Sequence, residues 1–152
     1  MIYTTTDVIC CFPGIGRTTF SAEVNKGGST FCLDLDYDGN LKAFIDRVKA
    51  ERAKIAHRYI LVPMDEEILM AFRENGIDHI TVVPDSDDRN DWMIRWMHSG
   101  ATAKMITARK DRWSEINRAW STESCVIALR TGEWLGNVLE QAPATQDERK
   151  DV

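Results

Sequence analysis

The stretch Val8-Ile9-Cys10-Cys11-Phe12-Pro13-Gly14-Ile15-Gly16-Arg17-Thr18-Thr19 decides how the rest of the chain is read. Its first five residues form a short apolar run without alternation, the pattern of a strand buried on both faces of a parallel sheet. Pro13 and Gly14 stop that run. A helix can then run from Thr18 to Lys26, where Gly27 and Gly28 close it. The unit is strand, tight glycine turn, helix.

The same alternation continues downstream. Thr30-Phe31-Cys32-Leu33 is a second strand, stopped by the polar run Asp34 to Gly39. A helix is expected over 41–56, with Leu41, Phe44, Ile45 and Val48 on its apolar stripe. Tyr59-Ile60-Leu61-Val62 is a third strand ended by Pro63. Asp65 can cap the next helix, and Gly76 lies past its end. His79 to Val83 is a fourth strand, closed by Pro84. A polar stretch, 85–91, leads into a helix bearing Trp92, Met93, Trp96 and Met97, which Gly100 breaks. One helix is expected over 103–119, then a fifth strand over 125–129 and a final helix over 134–141. Strands alternating with helices imply a parallel sheet with helices on both faces.

The bulk numbers agree with a single α/β domain over 1–142, followed by a polar flexible tail over 143–152. The 152 residues are enough to bury a sizeable core, and 43% of them are apolar. No apolar run nears the ~18 residues of a membrane span. The N-terminal residues carry no basic segment, so no secretory signal is expected. The formal charge of −5 gives no support for nucleic-acid binding. Cys10, Cys11, Cys32 and Cys125 form no C-x-x-C pair and read as buried free thiols, which suits a cytoplasmic protein. Homo-oligomerisation is left open.

In open parallel sheets ligands sit beyond the carboxyl ends of the strands. The loop at 11–18 is there, and it has the outline of the phosphate-binding pattern G-x-x-x-x-G-K-[ST]. Gly14 and Gly16 let backbone N–H groups converge on one anion, and the helix after them adds its positive end. Pro13, Gly14, Ile15, Gly16, Arg17, Thr18 and Thr19 are therefore the candidate phosphate-binding residues. Thr18 stands where a hydroxyl could ligate Mg²⁺. Cys11 replaces the pattern's first glycine and Arg17 its lysine. Arginine keeps the charge and can hold phosphate in a fork, but it is longer and planar.

Other candidates lie on the same rim. Asp34, Asp36 and Asp38 are either a metal cluster or a solvated turn before Gly39-Asn40. Asp65-Glu66 reads as a helix cap rather than a metal-holding pair. Arg89 and Arg95 are candidates for clamping phosphates, ahead of Arg109 and Arg112. The stripe Trp92, Met93, Trp96, Met97 reads as core rather than as a base-stacking platform.

Taken together, the Phe-Pro-Gly-x-Gly loop at 12–16, the Asp-x-Asp at Asp34 and Asp36, Val83-Pro84, the Arg95, Trp96, Gly100 set, Met105-Ile106 and Trp113 carry a family likeness. Over roughly 8–120 the chain resembles small bacteriophage P-loop proteins related to nucleoside-monophosphate kinases. The resemblance implies a three-layer P-loop NTPase-like fold, with a mostly parallel five-stranded sheet and a helical lid over about 85–101. It implies transfer of the ATP γ-phosphoryl group to a nucleotide with Mg²⁺, in the cytoplasm of a host cell if the likeness extends to phage origin. Arg17, Asp34, Asp36 and Arg95 would then be catalytic, Arg89 would join the phosphate contacts, and Thr18 with Asp36 would hold the metal. The chain departs from the family at Arg17, at Ser99 where a second lid arginine is expected, and at Leu35, Tyr37 and Asp38 where serines are expected. Those losses motivate two alternatives. One is a degenerate kinase fold that binds or sequesters a nucleotide without turnover. The other is an interaction protein with a vestigial loop.

Overall fold

A computed structural model of the chain describes residues 3–141. The expected tail over 143–152 lies outside the described residues. Five strands form one sheet: β1 Asp7–Cys11, β2 Cys32–Asp34, β3 Tyr59–Pro63, β4 Ile80–Pro84 and β5 Val126–Leu129. Every pairing is parallel, and the order is β2-β3-β1-β4-β5. The apolar run of β1 takes the centre, with Ile9 opposite Leu61 on one side and Ile80 on the other. Ile9, Ile60, Leu61 and Val82 are fully buried, as a two-faced strand requires.

Seven α-helices connect these strands among the described residues: α1 Arg17–Val24, α2 Leu41–Lys54, α3 Glu66–Glu74, α4 Arg89–His98, α5 Ala103–Asp111, α6 Ser114–Thr122 and α7 Leu135–Val138. Their starts follow local chemistry. The Asn40 side chain accepts from Ala43 N, Asp65 from Glu67 N, and Thr102 from Met105 N. Asp65 is therefore a helix cap, as its position before an apolar-periodic run indicates. Right-handed crossovers carry α1 over one face and α2, α3 and the α4–α6 segment over the other. Helix α1 packs on α7, and α2 on α3. The arrangement is compatible with a three-layer α/β fold.

Two elements differ from the sequence reading. The single helix expected over 103–119 is two helices, broken at Arg112 and Trp113. There the backbone tightens into i→i+3 bonds, from Arg112 N to Arg109 O and from Trp113 N to Lys110 O. The break lets Trp113 turn onto Phe12 and Trp96 and donate from Nε1 to Ser86 O. The second strand is displaced to Cys32–Asp34. The Asn25 side chain grips Cys32 at both backbone groups, accepting from N at 3.0 Å and donating to O at 2.8 Å. A side chain of α1 thus supplies the bonds that a neighbouring strand would give this edge strand. Among the cysteines, Cys10, Cys11 and Cys32 are buried, but Cys125 is exposed because β5 begins one residue later. All four are free thiols.

The chain leaves β1 toward β2 and leaves β4 toward β5, in opposite directions across the sheet. The crevice between the carboxyl ends of β1 and β4 is therefore the topological switch point.

Candidate functional site

Residues 12–16 turn the chain from the end of β1 into α1 at this crevice. Phe12 N continues the sheet by donating to Val82 O. Gly14 has φ +82° and Gly16 has φ +96°, both in the left-handed region where a side chain is strained. Two carbonyls of the loop are tied down. Trp96 Nε1 donates to Gly14 O at 2.8 Å, and Leu135 N donates to Ile15 O at 2.9 Å. Gly16 is the N-cap of α1 and brings no side-chain cap. The first turn of α1 thus offers N–H groups that no side chain takes up, beside the helix's positive end.

A cleft of about 1160 Å³ opens over this loop. Pro13, Gly14, Gly16, Arg17, Thr18 and Thr19 line it. Ile15 does not; it is fully buried beneath. The opposite wall is Trp96, Ser99, Arg109 and Arg112, and a side lobe runs along α1 and α7 past Trp134, Asn137 and Gln141. A Cβ on Gly14 would lie 2.6 Å from Trp96 Nε1 and 2.7 Å from Arg109 Cζ. The absence of a side chain at residue 14 is what allows α4 and α5 to close on the loop.

The arginines of this region differ in how their charge is met. Arg17 reaches sideways to the end of β2, with Nε 3.2 Å from Asp34 Oδ1 and Nη2 3.0 Å from Asp36 Oδ1. Burial raises the Asp34 carboxyl above its ordinary value; the Arg17 guanidinium opposes that and the Asp36 charge adds to it. Arg112 forms a two-pronged pair with Glu115 and also donates to Met64 O at the end of β3. Arg95 is sandwiched between the indoles of Trp92 and Trp134, 3.8 and 4.1 Å from their ring centres, and donates to Glu133 O. Its Nη1 is 3.6 Å from Asp91. Burial, opposed by Asp91, holds its pKa below the ordinary value. Arg109 is different: it lies over Trp96, 5.2 Å from the ring centre, and no acidic group among the described residues pairs with it. Burial alone lowers its pKa.

The expected site residues therefore fall into three groups. The loop residues and Arg17 surround the cleft. Asp34 and Asp36 meet the site only through Arg17. Arg89 is exposed at the start of α4, and Arg95 is packed among indoles; neither lines the cleft. Glu66 pairs with Arg118 at 2.6 Å, away from the loop. Trp96 is part of the core, and it is also a wall of the site. The cationic wall comes from Arg109 and Arg112, which sequence reasoning ranked below Arg89 and Arg95. Surface arginines on a helix are ordinarily solvated; the available signal was that this helix follows a glycine break on the binding rim.

The donors present fit a phosphate better than a bare metal ion. Thr18 is exposed and lines the cleft. The Asp36 carboxylate, its expected co-ligand, is on Arg17. Among the described residues no group of three or more His, Cys, Asp or Glu side chains converges as a metal site. Among the same residues no helix is long and apolar enough to cross a membrane.

Fold and site together define a parallel α/β protein with a glycine-turned loop and an arginine-rich cleft at the carboxyl end of its central strand. No protein-family model matches the chain, and no curated protein gives a match to it.

Proposed function

We propose that the chain is a P-loop nucleotide-binding protein that acts as a nucleotide kinase-like phosphotransferase. One observation carries this reading. Two left-handed glycines deliver the end of the central strand to an uncapped helix N-terminus, in the wall of a cleft that also holds three arginines. Backbone N–H groups, a helix dipole and guanidinium groups around one space suit an anion, and a phosphate is the anion such a set is built to hold. The cleft is somewhat larger than the roughly 300–1,000 Å³ of ordinary ligand pockets, so it can take a donor and an acceptor together.

In this reading the loop from Pro13 to Thr19 holds the donor's phosphates. An acceptor oxygen attacks the γ-phosphorus as the bond to the bridging oxygen breaks, and the electron pair leaves on the nucleoside diphosphate. Positive charge around the three equatorial oxygens stabilises that passage. Arg17, held by Asp34 and Asp36, links the loop to the end of β2. Of the two residues that the family resemblance assigns to Mg²⁺, Thr18 lines the cleft and Asp36 is paired with Arg17, and the transfer as written does not depend on the ion.

A second reading has its own support. Arg17 is neutralised by two carboxylates, and Ser99 stands in the cleft wall where the resemblance expects an arginine. Both favour a nucleotide binder that does not turn its ligand over. Calorimetric titration with ATP and a panel of nucleoside mono- and diphosphates, with and without Mg²⁺, followed by product analysis, separates the two. ADP and a phosphorylated acceptor establish the phosphotransferase. Binding without product leaves the binder. No heat with any nucleotide refutes both.

A further inference from the structure

We infer that Arg109, on α5, is the guanidinium that meets the ligand's phosphate, in the place the sequence pattern gives to residue 17 and the family likeness gives to α4. The inference rests on the reading that the cleft takes a nucleoside phosphate. Its basis is a comparison of the cations around the loop. Arg17 serves two carboxylates, Arg112 serves Glu115 and a strand-end carbonyl, and Arg95 is enclosed by two indoles and does not reach the cleft. Arg109 lines the cleft with no carboxylate and no carbonyl on its guanidinium among the described residues.

Such a group is expensive in the empty protein. A half-buried cation without a partner has lost part of its hydration and gained only the face of Trp96. A native structure keeps an arrangement of that kind where the missing partner is a ligand, because stability is given up for a pre-set charge. The location agrees. The guanidinium packs against Gly14, so that a Cβ there would touch Cζ and Nε. An anion resting on the loop's N–H groups would lie beside the Arg109 guanidinium. Trp96 fixes the approach: its indole bonds the loop carbonyl while its face carries the guanidinium. Arg109 is thus a phosphate-binding residue whose partner atom is an oxygen of the ligand's phosphate. Arg17, by contrast, has its Nε and Nη2 committed to Asp34 and Asp36.

The test uses the full chain and two probes, inorganic tripolyphosphate and ATP, titrated calorimetrically into wild type, R109A, R109K and K110A. Lys110 is the next residue of α5, exposed and outside the cleft, so K110A removes one charge without touching the site. Loss of a charge-assisted phosphate contact weakens both probes by at least about tenfold in R109A. R109K falls between, since an ammonium keeps charge but not the fork. K110A binds as wild type does, and millimolar guanidinium ion restores part of the R109A affinity. The thermal midpoint of R109A stays level or rises, because a costly unpaired charge is gone. A structural arginine gives the reverse pattern, a lowered midpoint with unchanged affinity, and that result overturns the inference alone. Failure of wild type to bind either probe overturns the nucleotide reading and the inference with it.

Discussion

Replacing Gly14 by alanine tests the contact on which the cleft depends. Two costs add. The residue sits at φ +82°, and an L-residue in the left-handed region costs about 1–2 kcal/mol. The new methyl also meets Trp96 Nε1 at 2.6 Å and Arg109 Cζ at 2.7 Å. The arginine tip can swing into the cleft, but Trp96 is 1% exposed and held by the core. Forcing it aside costs about 1–3 kcal/mol, of the order found for overpacked cores, and breaks its bond to Gly14 O. The total is about 3 kcal/mol, which for a chain of this size lowers the thermal midpoint by about 6–12 °C. Gly27→Ala is the control. Its φ is +73°, nearly the same, yet nothing lies within 4 Å of the added atom. It should lose only the backbone term, about 1 kcal/mol and about 2–4 °C. Differential scanning calorimetry of the two variants reads the difference directly. Equal shifts would show that Trp96 does not rest on the loop, and the arginine wall of the cleft would fall with it.

Three further outcomes follow from the same coordinates. In the folded protein only Cys125 should react with a thiol reagent such as DTNB, and all four cysteines after denaturation, because burial pushes Cys32 up to about 12 and raises Cys10 and Cys11 as well; two or more fast thiols in the native state contradict the packing of β1. Glu123→Ala should destabilise by about 3–5 kcal/mol in urea unfolding, since its fully buried carboxylate accepts from Arg73, His79 and Thr122, whereas Glu66→Ala, which breaks an exposed pair with Arg118, should cost less than about 1 kcal/mol; similar losses refute the buried network. Asp34→Asn should alter the pH dependence of stability: the folded chain holds the Asp34 proton above its ordinary range, so folding binds a proton in that window and wild-type stability falls, relative to the variant, as pH rises from about 4 through the raised value. A difference that stays flat with pH, or that grows in wild type's favour, counts against a buried Asp34.

The sheet was legible because its strands are short apolar runs punctuated by Pro13, Pro63 and Pro84, each at or just beyond a strand's carboxyl end. The helix starts were legible where one side chain does the capping, as at Asp65. What could not be read is geometry that depends on two distant segments at once. The second strand's start is set by an amide on α1, and no periodicity in 30–34 carries that information. Nothing local in Arg17 discloses that its Nε and Nη2 pair with Asp34 and Asp36, although the pattern around it fixes where its backbone lies.

The arginines show the same limit more sharply, and the cause is one misplaced helix boundary. With 103–119 taken as a single helix, Arg109 and Arg112 fall on a long polar face and look solvated. The break at Arg112 and Trp113 ends α5 just past Arg109, over the loop. It also spends the Trp113 indole on Ser86 and Phe12, and the Arg112 fork on Glu115 and Met64. That leaves Arg109 as the arginine of the cleft without a carboxylate among the described residues. Arg95, with the stronger sequence claim, does not line the cleft, and Trp134 arrives from a segment 39 residues away to close the second side of its sandwich. Sequence pattern located the cleft from the loop that must bend. Which of the cleft's arginines the fold leaves without a carboxylate can be counted only once the chain is folded.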